Sequence, residues 1–130
     1  MGGARPRLQD LLLRVGAGRG VRADLAAAGG RDRDSRPRAR LDGRLVGIAH
    51  YVFHPAVWSG EACYLQDLFT DEAARGRGAA RALIEAVAAA ARERGADRLY
   101  WHTQQSNTRA RVLYDKVARF TGFIRYAYPL

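Results

Sequence analysis

An α/β fold is predicted for this chain by three observations. Strand-like runs of β-branched and aromatic residues occupy Leu45 to Phe53 and Cys63 to Thr70. An amphipathic helix is written from Gly76 to Arg94. A further strand, helix and strand follow it, and elements that interleave in this way pack as layers around one core. At 130 residues the chain is one domain at most, long enough to bury a core without disulfide or metal staples.

Residues 1–40 stand apart from the rest. They are rich in Arg, Gly and Ala and hold no aromatic residue, and only Leu8, Leu11, Leu12 and Val15 carry helical spacing. One short helix is expected there. From Gly29 to Arg40 the chain has charges of both signs, a proline and no apolar residue beyond Ala, which predicts a solvated loop or disorder. The expected layout is therefore an atypical N-terminal segment over 1–40 and a folded core over 41–130. The Arg, Gly and Ala bias is also what a misassigned start or a shifted reading frame in GC-rich DNA produces.

Asp42-Gly43 is a hairpin-turn dipeptide, so the run that follows is a strand, or the two flanks are two strands around the turn. Turn formers fill Pro55 to Glu61 and link it to the Cys63–Thr70 strand. In the Gly76–Arg94 helix, Leu83, Ile84, Val87, Ala90 and Ala91 make one stripe opposite Arg81, Glu85 and Arg92, and Gly95 supplies the stop. Arg98 to Thr103 alternates as a strand. Asn107 to Arg119 repeats helical spacing through Ala110, Leu113, Tyr114 and Val117, and Phe123 to Tyr128 reads as a last strand.

Composition narrows the function classes. The net charge is +9, but ten Arg and four Asp put +6 of it in residues 1–40, against +3 from twelve basic and nine acidic residues in 41–130. A nucleic-acid-binding reading is thus carried mainly by an aromatic-free segment, which argues against it. The single cysteine, Cys63, excludes an intramolecular disulfide framework and is expected to be a buried small residue. No apolar stretch approaches the roughly 20 residues of a membrane helix, and no signal-peptide core follows Met1. A soluble, cytoplasmic protein is expected.

The segment from Arg75 to Ala80 carries the first functional signal. It joins a strand to an amphipathic helix, and Gly76 and Gly78 let the backbone turn tightly and present N–H groups to an anion. The helix start adds free donors and the positive end of its dipole, which suit a diphosphate. A plain strand-to-helix turn uses the same glycines. The P-loop pattern is absent, and a dinucleotide motif fails because Arg81 stands where its third glycine or alanine belongs.

Here the chain resembles the GNAT N-acetyltransferases, whose Arg/Gln-x-x-Gly-x-Gly/Ala signature is met by Arg75, Gly78 and Ala80. The strand YLQDLFT precedes the signature, and a downstream Asn-x-x-Ala-x-x-Leu-Tyr is met by Asn107, Ala110, Leu113 and Tyr114. The resemblance covers Leu41 to Leu130, and its C-terminal part looks like the branch with yeast histone and D-amino-acid acetyltransferases. It implies a GNAT fold, a mixed central sheet flanked by helices, with an atypical N-terminal portion.

The resemblance also implies acetyl-CoA as co-substrate, its pyrophosphate held by Arg75, Gly76, Arg77, Gly78, Ala79 and Ala80. The strand at Leu68, Phe69 and Thr70 would splay from its neighbour, pair with the pantetheine arm and offer an N–H near Leu68 to the thioester oxygen. Such a donor is worth about 2.7–4 kcal/mol in measured oxyanion holes. Tyr114 matches the family's candidate general acid, although an inward tyrosine also serves as core. Asn107 would contact CoA or cap its helix. Asp67 is the candidate to orient the amine or take its proton, since it and Gln66 face opposite sides of the strand. His102 is expected to be half-buried and structural, and dispersed His50 and His54 make no metal site.

The resulting expectation is acetyl transfer to a primary amine, whether a small amine, an amino acid or a protein amino group, in a protein that is a candidate homodimer and no membrane protein. The alternative is an inactive or CoA-binding GNAT-like module with a defective acceptor site. Residues 1–40 favour that alternative, because they show no clear version of the strand and two helices that family members place there.

Overall fold

The computed structural model of the chain describes residues 21–24, 36–58 and 60–130. Its elements are β1 (Val21–Asp24), β2 (Arg38–Leu41), β3 (Arg44–Pro55), β4 (Glu61–Thr70), α1 (Ala79–Arg94), β5 (Arg98–Tyr100) and α2 (Thr108–Val117), with a 3-10 turn at Glu72–Ala74 before α1. The expected helix over Leu8 to Val15 lies outside the described residues.

The strands form one sheet in the order β1-β2-β3-β4-β5. β1 to β4 run antiparallel to their neighbours, and β4 pairs with β5 in parallel, so the sheet is mixed. Asp42 at φ 52° and Gly43 at φ 80° give both central turn residues the left-handed geometry that matches strand twist. The turn therefore joins two strands. Arg38–Leu41 is thus a strand where composition had favoured loop. Its backbone is paired on both sides, by β1 and β3, and ladder bonds outweigh the weak local preference of Arg and Ala.

α1 covers one face of the sheet. Leu83 and Val87 are fully buried, Ile84 and Ala91 nearly so, against Ala39, Ala49, Cys63 and Leu65 of the strands. The predicted stripe is buried except at Ala90, which is half-buried, and Ala79, Ala82 and Ala86 widen it. The helix lies close because its buried face is largely alanine and because Gly47 stands beneath it: a Cβ there would meet Leu83 Cδ1 and the Phe69 carbonyl at 3.0 Å. α1 ends in a Schellman arrangement at Gly95 (φ 80°), with Gly95 N–H donating to Arg92 O and Ala96 N–H to Ala91 O.

Leu113, Tyr114 and Val117 of α2 pack with Trp101 and Leu99 against the same core. The opposite sheet face carries Ile48, Val52 and Phe69, all exposed. The strand expected over Phe123 to Tyr128 is not formed. Residues 119–130 are exposed throughout and belong to no ladder, because a strand needs a paired edge as well as a strand-like sequence. β5 also ends at Tyr100, earlier than Thr103.

Candidate active site

The turn that follows β4 is assembled by successive hydrogen bonds. Asp71 N–H donates to Val46 O (2.7 Å) and fixes the strand end, and the Asp71 carboxylate accepts from Ala73 N–H (3.1 Å). Arg75 N–H and Arg77 N–H then donate to Glu72 O and Ala74 O. Gly76 (φ 76°) and Gly78 (φ 82°) both adopt left-handed backbone, which residues with a Cβ rarely do. Gly78 is the N-cap of α1 and has no side chain to fill the cap.

The consequence is a run of uncommitted donors. The first N–H pairing to Gly78 O comes from Ala82, so Ala79, Ala80 and Arg81 point their N–H groups out of the helix start without intrahelical acceptors. A Cβ placed on Gly76 or Gly78 would meet nothing within 4 Å, so the space above the turn is open. Arg75 is drawn to Glu72 (3.0 Å) and Arg81 to Glu85 (3.2 Å), while Arg77 has no ion-pair partner among the described residues. Open donors, a positive helix end and basic side chains are what a diphosphate requires, so these residues fit the pyrophosphate of CoA.

β4 and β5 pair only at Ala62–Arg98, Cys63–Leu99 and Tyr64–Tyr100. β5 ends at Tyr100, opposite Tyr64, and Leu65 to Thr70 keep β3 on one side and no described strand on the other. Leu68 is packed against the core, whereas Phe69 is 65% exposed. The backbone of Leu68, Phe69 and Thr70 thus forms an edge with no described strand beside it.

Tyr114 lies on the core side of α2. It is half-buried, with its ring edge-on to Trp101, and burial raises its pKa above the ordinary tyrosine range. Asn107 stands at the N-cap of α2, but its side chain makes no cap bond; it donates to Thr103 Oγ1 (3.2 Å). Asn107 thus holds the N-cap position without a side-chain cap bond, its Nδ2 donating to the preceding loop.

Asp67 sits on the other face. A bulge between His50 and Tyr51 leaves Gln66 with no residue opposite it and pairs Asp67 with His50. His50 Nδ1 and Asp67 Oδ2 are 3.4 Å apart. Ala49 and Leu68 pair on the core face, so the adjacent His50 and Asp67 turn away from α1. The structure thus gathers Leu68, Ala79 and Tyr114 around one core and does not bring Asp67 onto the same face as Tyr114.

Several of these neighbours were not singled out from sequence. Trp101 gained its place only through the packing of α2, and His50 only through the bulge. On the face away from α1, His54 Nε2 and Tyr100 OH are 2.6 Å apart, the rings of Tyr64 and Tyr100 stack at 5.0 Å, and His102 Nδ1 lies 3.2 Å from Tyr64 OH. His102 is exposed, correcting its half-buried expectation, because β5 stops before it. The matching parity of Tyr100 and His102 was the one sequence signal for this cluster. Cys63 is fully buried, and burial pushes its thiol up to about 11. Among the described residues, no group of three or more His, Cys, Asp or Glu could hold a metal ion, and no helix is long and apolar enough to cross a membrane.

A mixed sheet whose fourth strand leads into a glycine-built, donor-rich helix start defines an α/β protein with open backbone donors at that start. Comparison with known proteins gives it a family: residues 16–120 match the model of the acetyltransferase (GNAT) family, and the chain belongs to it. The match reaches well before Leu41, into the segment whose composition is atypical.

Among curated proteins the chain is similar to the D-amino-acid N-acetyltransferase of Saccharomyces cerevisiae, 42% identical over 85 residues. That alignment covers 65% of this chain and 53% of the yeast protein, so it spans about half the relative's length. Among solved structures it is similar to a ribosomal-protein-alanine N-acetyltransferase from Brucella melitensis biovar Abortus, with TM-score 0.66 and 28% identity, covering 77% of this chain and 74% of that one. An aminoglycoside N-acetyltransferase in complex with CoA shares the fold at TM-score 0.67 and 21% identity, covering 75% and 68%.

Proposed function

We propose that this chain transfers an acetyl group from acetyl-CoA to a primary amine by direct attack. The observation that carries the reading is the set of open N–H donors at Ala79, Ala80 and Arg81, placed after a strand that from Leu65 onward pairs with no described strand but β3. Acetyl-CoA supplies the activated thioester. Gly76, Gly78, Ala79 and Ala80, with Arg75 and Arg77, hold its pyrophosphate through backbone donors and positive charge. The free edge of Leu68, Phe69 and Thr70 pairs with the amide-bearing pantetheine arm as an added strand would. A backbone N–H at this edge, near Leu68, polarises the carbonyl.

Attack by the amine releases one proton and the departing thiolate needs one. In this reading Tyr114 gives it, and burial, which holds its phenol protonated, supports that role. On reference values, transfer from a phenol near 10 to a thiol near 8.5 is uphill by about 2 kcal/mol, a small part of an acyl-transfer barrier. Asp67, paired with His50, orients the amine or takes its proton through water from the other face. Amine and thiolate would then meet at the free edge of β4. The likeness to a D-amino-acid acetyltransferase supports an amino acid as acceptor, ahead of other small amines and protein amino groups.

Calorimetric titration with acetyl-CoA, followed by a thiol-release assay over a panel of amines, tests the reading. Saturable binding with release on adding an amino acid supports it. Binding without turnover on any amine would favour the alternative, a CoA-binding module with a defective acceptor site. Absence of binding at millimolar CoA would remove the proposal altogether.

A further inference from the structure

The sheet face turned away from α1 carries a cluster that the proposed acetyl transfer does not use. Tyr64 of β4 and Tyr100 of β5 are register neighbours and stack, with ring centres 5.0 Å apart and planes at 29°. His54 stands edge-on to Tyr100 at 5.7 Å, and His102 to Tyr64 at 5.5 Å. Val52 lies opposite Tyr64 across the β3–β4 pair and is 45% exposed. Arg98, its guanidinium 5.8 Å from the Tyr100 ring centre, stands at the end of the strip remote from Asp67.

Hydrogen bonding gives this cluster an apolar character. His54 Nδ1 is 2.9 Å from the Pro55 carbonyl, which can only accept, so Nδ1 carries the proton and Nε2 of the neutral ring accepts. Tyr100 therefore donates its hydroxyl to Nε2 across 2.6 Å. The Tyr64 hydroxyl is matched in turn by His102 Nδ1 at 3.2 Å. Both phenols are paired at their polar ends, which leaves ring surface and the Val52 methyls as what the strip offers a ligand. A polar side chain laid there loses water without gaining a partner, whereas an aromatic ring packs against rings.

Beside the strip is a carboxylate. Asp67 lies on the same face with its side chain 63% exposed, paired with His50. His50 and Val52 are two residues apart on β3, so the His50–Asp67 row and the Val52–Tyr64 row are roughly 7 Å apart. That is about the span of phenylalanine from its amine to the far edge of its ring. The carboxylate attracts a cationic amine at one end, and the rings receive an apolar group at the other. We infer that the Tyr64–Tyr100 strip is a side-chain site selecting acceptors whose amine carries an aromatic ring two carbons away. The inference rests on the acetyl-transfer reading for the placing of the amine at Asp67, and names the acceptor class within it.

Turnover is measured by thiol release on phenylalanine, alanine and aspartate, each as both enantiomers. Phenylalanine should exceed alanine in kcat/KM by at least about tenfold, with aspartate the poorest of the three. Tyr64→Leu should bring the ratio of phenylalanine to alanine below about threefold, and Tyr64→Phe should keep it near that of the wild type. Val52→Asp, at an exposed position, should lower the ratio in the same way and serves if Tyr64→Leu does not fold. Binding is read separately, by calorimetric titration of phenylalanine and alanine into the CoA-saturated chain, where no acetyl group can move. Ring-selective binding without turnover on any amine would overturn the acetyl-transfer reading and leave the side-chain site standing. Turnover with no preference for phenylalanine, or a preference that Tyr64→Leu and Val52→Asp both leave intact, would overturn the site.

Discussion

The ring of Tyr114 stands edge-on to the indole of Trp101, with centroids 5.4 Å apart and planes at 69°. This contact holds the phenol at the core edge of α2, where burial disfavours its charged form. Tyr114→Phe keeps the ring packing and removes the proton. We expect kcat to fall by about 10²–10⁴-fold, the usual contribution of a positioned acid, with acetyl-CoA affinity retained. Because the pKa is raised, the wild-type phenol stays protonated through neutral pH and loses its proton only above the ordinary tyrosine range. An alkaline limb of kcat that survives unchanged in the Phe variant would rule out the acid role of Tyr114.

Gly78 can be tested through binding and stability together. At φ 82° it sits where a Cβ costs about 1–2 kcal/mol, and a β-branched residue costs more. Gly78→Val should lower Tm by several degrees and weaken acetyl-CoA by at least about tenfold, or 1.4 kcal/mol, since it also moves the donors that follow. Calorimetry at a temperature where the variant is folded separates the two effects.

Glu61 and Arg94 join the start of β4 to the end of α1. Arg94 donates from Nε and Nη2 to the two carboxylate oxygens at 2.9 and 2.8 Å, and its guanidinium lies 4.3 Å from the Phe53 ring centre. The paired guanidinium holds the Glu61 carboxyl below its ordinary value. A depressed carboxylate contributes stability that is present above its unfolded pKa and lost as pH falls through the folded one. Glu61→Gln should therefore flatten the acid side of the stability profile below about pH 4.5 and leave alkaline unfolding alone, as followed by thermal melts against pH.

Cys63 works in the opposite direction. With its thiol raised to about 11, the folded protein keeps a proton that the unfolded chain releases near 8.5. Stability from this group is complete below that unfolded value and declines as pH rises toward 11. A thiol reagent at pH 8 should modify Cys63 only after denaturation, and Cys63→Ala should reduce the alkaline loss of stability. Prompt labelling of the native protein would contradict its burial.

Local chemistry accounts for the parts of the fold that were legible. Asp42-Gly43 demanded a left-handed turn, Gly95 a helix stop, and the Leu83, Ile84, Val87 stripe a covered sheet face, and each requirement is met within a few residues of itself. β2 was harder to read because Arg38–Leu41 has a weak local signal and takes its shape from two neighbours. The site divides in the same way. The turn over Arg75 to Ala80 was readable because two glycines and a helix start act over six residues. The pairing of Asp67 with His50 was not, because it depends on where Gln66 bulges out of register seventeen residues along the hairpin.

What the sequence determined alone is therefore periodic and local: which runs extend, which coil, where φ turns positive, and which segment carries an anion-binding helix start. Only the tertiary structure decided that β5 ends opposite Tyr64, that Tyr114 meets Trp101, that Asp67 lies on the other face of the sheet, and that the strand-like arm beyond Gly122 pairs with no described strand. The physical reason is that side-chain period depends on neighbours a few residues away, whereas strand register and edge pairing depend on hydrogen bonds between segments far apart in the chain.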